Sequence, residues 1–198
     1  MGLRPAMDQI FKSEAQRTHC LTNDRMIRGR YLALVETTIG ILGGDALRAR
    51  AHGALGYTIR ADDLYPVADW VRLVVVAAEG GVSPRRLGMN FFPKFRQTHQ
   101  ELFPSRKVTL REALGIVEQA ARKETTYGGA PYEMKLESPT TLRIIRKENP
   151  LPCEFFAGII AGTLDTLGYK GTVTETACRW LGAPACELEA VLSQSMPM

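Results

Sequence analysis

The sequence predicts an α+β protein in which a helical N-terminal lobe precedes an α+β lobe with a small antiparallel sheet. The first half carries apolar residues at helical spacing, as in the stripe of Tyr31, Leu34, Thr38 and Leu42. The second half contains short runs of alternating and β-branched residues, such as "TTLRIIRKE". The change falls near residues 104–108. We therefore predict one integrated domain made of an N-terminal extension (1–25), a helical lobe (26–105) and an α+β lobe (106–198).

Start and stop residues divide the helical lobe into four predicted helices. The first follows "DRMIRGRYLALVETTIGIL", with Ile27 at the start of its apolar stripe, and the second begins at Asp45 and ends at Gly56. The third, "DLYPVADWVRLVVVAAE", is apolar on most sides, which predicts a central helix that ends at the following glycines. Ser83 and a following proline begin the fourth, and we expect Pro93 to kink or split it.

The α+β lobe begins with one more helix and then combines strands with a second helix. Thr109 and Glu112 stand at capping-box spacing at the start of "TLREALGIVEQAARKE". "YEMKLES" and "TTLRIIRKE" predict a hairpin. A helix follows from Cys153, in which Gly158 and Gly162 allow a neighbouring backbone to approach closely. "KGTVTETACRW" and "APACELEAVL" then predict two further strands.

Charge and apolar runs exclude several classes of protein. The net charge is +4 and the arginines are scattered, with no block of five like charges, so we expect no nucleic-acid partner. The longest aliphatic run, "LVVVAA", is too short to span a membrane, and the N-terminus lacks the apolar stretch of a signal peptide. We therefore expect a cytoplasmic protein whose cysteines are free thiols or metal ligands. Cys20 lies in a polar region far from the others, and we interpret it as an incidental thiol.

Three cysteines and one glutamate are candidate ligands of a single metal ion. Cys153 lies in the first turn of a predicted helix, where the helix dipole favours a thiolate. Cys178 and Cys186 flank a short connection between two strands, so they can face each other. Glu175 and Cys178 are three residues apart, which in a regular strand puts them on opposite faces. A shared ion therefore requires a bulge, or the end of the strand, near Ala177.

Four ligands of these types would form a closed tetrahedral zinc site, which is the structural kind. Such an ion cannot activate water without losing a ligand, and Glu175 is the most replaceable of the four. The alternative interpretation is that the cysteines are small buried hydrophobic residues and that Glu175 is solvated. Spacing alone leaves both interpretations open, because C-x7-C is weaker evidence than a paired C-x2-C.

Large apolar side chains from both lobes are candidates for a ligand pocket. Pockets favour interfaces between lobes, and the alternative is that the same residues fill the core. The chain has no nucleophile motif, Gly-rich phosphate loop or dinucleotide fingerprint, which favours a binding domain and leaves catalysis open. The candidate pocket residues are Trp70, Val74, Phe91, Phe92, Phe95, Tyr132, Phe155, Phe156, Ile159 and Trp180.

The stretch "CEFFAGIIAGTLDTLGYKGTVTETACRWLGAPACELEAVL" resembles the C-terminal half of the 4-vinyl-reductase (V4R) domain family. That family includes sensor domains of phenol-responsive transcription activators and a protein linked to bacteriochlorophyll synthesis, and it is related in fold to subunits of the TRAPP tethering complex. In its aromatic-sensing members, one cysteine before a helix and an E-x2-C-x7-C segment hold a zinc ion. The resemblance implies a structural zinc at the matching positions, Cys153, Glu175, Cys178 and Cys186.

The earlier part resembles the haem-nitric-oxide/oxygen-binding (H-NOX) domains. "MIRGRYLALVETTIGILGGDALRARAHGALGYT" and "YPVADWVRLVVVAAEGGVSPRRLGMNFF" follow their run of helices, and the two resemblances cover most of residues 26–192. H-NOX domains hold haem with a histidine on the helix after the lobe junction and with a Y-x-S-x-R clamp. Here the histidine is absent near Ala120, and "RKENP" (146–150) lacks the tyrosine and serine. Haem is therefore not expected, and we interpret His52 and His99 as packed or solvated residues.

These observations together predict a small-molecule-binding or sensory domain with a hydrophobic pocket and a structural zinc. Its expected partners are a hydrophobic small molecule and either a second copy of the chain or a signalling protein, because no output domain is recognisable. One alternative, implied by the bacteriochlorophyll-linked relative, is an accessory protein or reductase that acts on a tetrapyrrole. The other is a protein-interaction module of the tethering-subunit type.

Overall fold

A computed structural model describes residues 10–22, 24–104, 108–126, 132–147 and 150–193. The helices are α1 (Glu14–Leu21), α2 (Gly29–Leu55), α3 (Val67–Glu79), α4 (Pro84–Thr98), α5 (Leu110–Glu124) and α6 (Cys153–Thr166). The strands are β1 (Met26–Arg28), β2 (Leu64–Pro66), β3 (Glu133–Ser138), β4 (Thr141–Arg146), β5 (Gly171–Ala177) and β6 (Cys186–Leu192). The predicted lobe boundary near 104–108 includes residues 105–107, which lie outside the described residues.

The strands form two antiparallel sheets, a β1–β2 pair and a four-stranded sheet of order β3–β4–β6–β5. This arrangement confirms the predicted α+β class with a small antiparallel sheet. The predicted hairpin is β3–β4, the two later strands are β5 and β6, and α5 begins with the predicted capping box. None of the helices in the described part of the chain combines the length and the hydropathy needed to cross a bilayer.

The β1–β2 pair lies where the sequence analysis expected helix. Ile27 lies opposite Tyr65 in this pair, and the backbone N–H of Gly29 donates to the Asp63 carbonyl at 2.9 Å. Helices α2 and α3 begin only after these strands, so the predicted starts of both helices are wrong by several residues. The error has a physical reason, because a strand of three residues is too short to show a period of its own.

Gly44 separates the two helical segments that were predicted before Gly56. Its backbone has φ 83° and ψ 175°, a conformation that glycine adopts without strain. The chain turns there, so Glu36 reaches Arg48, with 3.2 Å between Oε1 and Nε. In a straight helix, residues twelve positions apart are separated by about 18 Å. Two segments are therefore present as predicted, and the break between them is at Gly44.

Pro93 lies inside α4, which continues to Thr98, so the predicted split of this helix is wrong. Proline cannot donate to the carbonyl four residues earlier, which here belongs to Met89. That carbonyl faces α6 instead, at a place where a Cβ on Gly162 would overlap it. The carbonyl that Pro93 leaves without a backbone donor therefore lies at the crossing with the neighbouring helix.

Helices α4 and α6 cross with their backbones in direct contact. A Cβ on Gly88 would overlap the carbonyl oxygen of Phe155, and a Cβ on Gly158 would overlap that of Arg85. Only glycine fits such positions, which confirms the close approach predicted for this helix. The crossing fixes α6 against the helical lobe and thereby positions its first residue, Cys153.

Buried and more exposed side chains alternate along β4 and β6, and the buried ones define the inner face of the four-stranded sheet. The pairing of these strands puts Arg146 opposite Cys186, at the same end of the sheet as the start of α6. Both residues share the phase of the buried apolar side chains on this face. Those side chains are Leu142, Ile144, Leu188 and Ala190.

Replacement of Gly88 by alanine is expected to destabilise the protein by about 1–3 kcal/mol, because the added Cβ forces α4 and α6 apart. The matched control is Gly115→Ala in α5, where nothing lies within 4 Å of the added Cβ. There alanine should raise stability by up to about 1 kcal/mol through its helix propensity. Denaturant unfolding measures both variants, and equal stabilities would contradict the close crossing.

Candidate metal centre

Four candidate ligand side chains converge at one buried point. Cys153 begins α6, Glu175 lies in β5, Cys178 follows β5 and Cys186 begins β6. Their ligand atoms all lie within 4.8 Å of one another. The Sγ atom of Cys186 is 3.7 Å from that of Cys153 and 4.0 Å from that of Cys178. A tetrahedral ion with Zn–S bonds of about 2.3 Å has S–S edges of about 3.8 Å, so the sulfurs are spaced for one zinc ion.

A β-bulge brings Glu175 and Cys178 to the same face. The β5–β6 pairing shifts register between Glu175 and Ala177, so one extra residue changes the phase of the strand. This bulge is the feature that the sequence analysis required near Ala177. A short 3-10 turn and Gly182, whose φ is 100°, then reverse the chain and return it to Cys186. The connection therefore delivers three of the four candidate ligands.

The thiols of the centre are buried and influence one another. The side chain of Glu175 is 7% exposed, and the cysteines form a separate buried cluster against Trp180. A hydrogen bond between Cys153 and Cys186 raises the pKa of Cys153 and lowers the pKa of Cys186 to about 6. Burial raises the pKa of Cys178 to about 11. The buried thiols thus compete for the same protons, and a cation placed among them would favour their ionised forms.

A buried arginine lies beside the thiols. Arg146 is 2% exposed and leaves the inner face of β4 opposite Cys186. Its Nη2 donates to the Leu151 carbonyl at 3.0 Å, and its guanidinium carbon lies 4.0 Å from the centroid of the Phe156 ring. This place was not predicted, because Arg146 stands in the stretch that was compared with the haem clamp. Strand alternation would have found it, since Arg146 shares the phase of Ile144.

The N-terminal segment around α1 covers the metal centre. Lys12 forms an ion pair with Glu175, and Nε2 of Gln16 donates to Sγ of Cys153 at 3.4 Å. Gln16 is fully buried although it is polar, because its amide is used at the centre. The sequence predicts only an N-terminal extension here, so neither of these two contacts was predicted. The sequence of a polar segment contains no periodic pattern that would indicate which part of the protein it packs against.

Cys20 belongs to the same segment. The prediction that it lies far from the other cysteines is wrong. It is fully buried, and its thiol interacts electrostatically with Arg146 and Cys186. Burial raises the pKa of Cys20 to about 12. The thiol is thus near the centre, although it is not part of the group of four candidate ligands. Its position follows from α1, which folds back over the sheet end and buries one side of an otherwise polar helix.

The predicted pocket residues, with the exception of Trp180, are buried in one core cluster and pack against one another. The ring centroid of Trp70 lies 5.8 Å from that of Phe155. Tyr31, which was not among the predicted pocket residues, joins this aromatic cluster with 6.0 Å between its ring centroid and that of Trp70. Trp180 lies instead at the metal centre, with its ring 5.1 Å from that of His19. The ten residues are therefore divided between the core and the metal centre.

An open cleft of about 550 Å³ lies elsewhere, between α2, the loop before β2 and the end of α4. Charged side chains line it, and none of the predicted pocket residues does. His99 also lines it, and stacks on Phe95 with 4.5 Å between ring centroids. His99 therefore lies between this cleft and the aromatic core. The charged lining residues are Arg30, Asp62, Lys94 and Glu101.

Comparison with solved structures shows the fold. The protein is similar to an H-NOX protein from S. oneidensis in the Fe(II)NO ligation state, with a TM-score of 0.70, 12% identity, and coverage of 85% of this chain and 100% of that one. It is similar to an oxygen-binding H-NOX domain related to soluble guanylate cyclases, with a TM-score of 0.66, 14% identity, and coverage of 87% and 98%. It is also similar to a mutant of T. tengcongensis H-NOX, with a TM-score of 0.66, 14% identity, and coverage of 85% of this chain and 99% of that one. No protein-family model and no curated protein sequence matches the chain.

The predicted H-NOX-like architecture is therefore confirmed as a fold, and the V4R resemblance stays a prediction. The residues present do not fit histidine ligation of haem at the expected place, because Ala120 is buried there on α5. Within the described residues, His19 and His52 lie on α1 and α2, and His99 follows α4. Nδ1 of His99 is 3.1 Å from the Phe95 carbonyl oxygen. None of these rings stands on the helix that would carry the ligand.

Proposed function

We propose that this chain is a haem-free, small-molecule-binding sensory domain that one structural zinc ion holds together. The convergence of Cys153, Glu175, Cys178 and Cys186 at tetrahedral spacing is the observation that supports it best. Zinc accepts thiolate and carboxylate ligands, and a set of four leaves no open position for water. The zinc ties the start of α6 to the β5–β6 connection, so its role is structural. A fold shared with an oxygen-binding H-NOX domain supports the sensory function.

The ligand of the proposed domain is a small aromatic molecule that carries a hydrogen-bond acceptor. Trp70 is 4% exposed, and its Nε1 has no hydrogen-bond partner among the described residues. A buried N–H left unpaired costs about 1–3 kcal/mol, so an acceptor that enters here is stabilised. The rings of Tyr31, Phe91 and Phe155 supply apolar walls. These side chains pack closely, so binding requires them to move apart.

The domain's response passes through a contact with a second copy of the chain or with a separate signalling protein in the cytoplasm. Leu181 supports a contact at the β5–β6 connection, because this large apolar side chain is 67% exposed next to the metal centre. A change in the angle between α6 and this connection would therefore move Leu181 at the protein surface.

A protein-interaction module is the second candidate function. The observation that favours it is the packing of the predicted pocket residues against one another in a continuous core. In such a module the zinc would hold the same elements, and no small molecule would enter the aromatic cluster. Ligand binding therefore separates the two candidates.

Elemental analysis of untagged protein is expected to find one zinc per chain. Cys178→Ser should lose the ion and lower the melting temperature, since structural zinc contributes directly to folding. Cys20→Ser is the matched control, because Cys20 is a buried thiol outside the ligand group, and it should retain the zinc. Less than about a tenth of an equivalent in the parent protein, with freely titratable thiols, contradicts the site.

Calorimetric titration is expected to show that phenol binds more tightly than toluene by about fivefold, the equivalent of one neutral hydrogen bond to Nε1 of Trp70. Trp70→Phe keeps an aromatic wall and removes the donor, so it should abolish the difference between the two ligands. Trp180→Phe changes the other tryptophan and should leave the difference intact. If the parent protein binds neither ligand, the interaction module becomes the preferred function.

Purified protein is expected to show no Soret band and to gain none when haemin is added. The reason is the alanine at position 120 on α5 and the packing of His99 against Phe95. Absorption spectroscopy makes the measurement, with His99→Ala as the companion variant. A stoichiometric Soret band that disappears in His99→Ala would overturn the haem-free assignment, and a co-purified tetrapyrrole would favour the pigment-linked alternative.

A further inference from the structure

Arg146 places a positively charged guanidinium in the protein interior, where few uncharged groups accept its hydrogen bonds. Nη2 donates to the Leu151 carbonyl, and the Phe156 ring covers the guanidinium at 4.0 Å. Nε and Nη1 have no hydrogen-bond partner in the part of the chain that the structure describes. Removal of a guanidinium from water is strongly unfavourable unless an anion accompanies it. Burial lowers the pKa of Arg146, and the surrounding thiols and Glu175 oppose that effect.

The acidic groups beside Arg146 are those of the metal centre. Arg146 and Cys186 are direct partners across β4 and β6, and both side chains leave the sheet on its buried face. Directly opposite residues in an antiparallel pair have Cβ atoms about 5 Å apart. Cys153, whose Sγ is 3.7 Å from that of Cys186, lies in the same cluster. The arginine therefore stands next to two of the candidate ligands.

The charges of this assembly balance when the ion is divalent. Three thiolates and one carboxylate carry four negative charges, and a divalent ion reduces the total to two. Lys12, which pairs with Glu175, and the buried Arg146 contribute two positive charges. Lys12 is 31% exposed, so water screens its charge, whereas Arg146 acts through a dry interior where charges interact strongly.

We propose that Arg146 is the buried counter-charge of the metal centre, and that together with Lys12 it makes the centre neutral for a divalent ion and so raises the affinity for that ion. This inference rests on the proposed zinc site. Arg146 is a positioning residue in this role, because it does not touch the ion and acts through the thiolates. A monovalent ion would leave the same assembly with a net negative charge in the interior, so the counter-charge also favours divalent ions.

The test compares zinc affinity, measured by competition with a chelator, in the parent protein and in Arg146→Met. Methionine fills much of the same space without the charge, and affinity should weaken by about 10–100-fold, as it does for residues that support metal ligands. Arg146→Lys should restore most of it. Arg143→Met is the matched control on the same strand, because Arg143 faces outward and pairs with Glu187, and its affinity should equal that of the parent. Equal affinities of Arg146→Met and the parent overturn the inference.

A second measurement separates charge from packing. Glu175→His exchanges a charged ligand for a neutral one, so the centre carries one negative charge less. In that background the loss caused by Arg146→Met should be severalfold smaller, and Co²⁺ absorption spectra check that thiolates still bind. A loss of the same size in both backgrounds assigns Arg146 a packing role and overturns the inference. If Arg146→Met does not fold, Arg146→Gln and Arg146→Lys provide the same comparison.

Failure of the zinc site itself gives a different result. A parent protein that binds neither Zn²⁺ nor Co²⁺ overturns both the proposed function and the counter-charge. A parent protein that binds one ion, together with an Arg146→Met variant of equal affinity, rejects the counter-charge alone. The two failures are therefore distinguished by the parent protein's own titration.

Discussion

The burial of four acidic side chains at one point is the constraint on which the rest of this structure depends. As anions, Cys153, Glu175, Cys178 and Cys186 repel one another strongly in a low-dielectric interior. Positive charge accordingly approaches from three directions: Arg146 from the sheet, a lysine from the N-terminal segment, and the N-terminal end of the α6 dipole. The bulge in β5 and the chain reversal after it bring these side chains together, and α1 packs over them. The sheet end is therefore organised around electrostatics, and the core behind it around apolar packing.

The H-NOX fold holds these two parts together without demanding a particular sequence. Identities of 12–14% accompany nearly complete coverage of the related domains, so the path of the chain is maintained by packing geometry. The crossing of α4 and α6 is one such element of geometry, because it depends on glycine backbone contacts and not on specific side chains. A scaffold of this kind can carry functional residues at different positions. Here the candidate metal ligands lie at the sheet end of α6, and Ala120 occupies the place on α5 where a haem ligand was expected.

The sequence predicted the local features of the site and missed the distant ones. Cysteine spacing and strand alternation are local properties, so they were enough to name four candidate ligands and to require a bulge near Ala177 if these share one ion. The contacts of Lys12 and Gln16 join parts of the chain that no short-range pattern connects. Trp180 was grouped with the core because composition tells which side chains are apolar and not which of them meet. The packing of the aromatic cluster was unpredictable for the same reason, since interiors are filled by shape.

The coverage of the metal centre by the N-terminal segment has a consequence for how the protein matures. Gln16 and Cys153 are 137 residues apart, and Lys12 and Glu175 are 163 residues apart. During translation the N-terminal segment emerges long before β5 and β6 exist, so its contacts with Cys153 and Glu175 cannot form until those parts of the chain are made. The thiols likewise remain accessible to solvent, to oxidants and to competing ions until the last strands are made. Closure of the centre is thus among the final steps of folding, and the proposed site would take its ion from the metals present when β5 and β6 have been made.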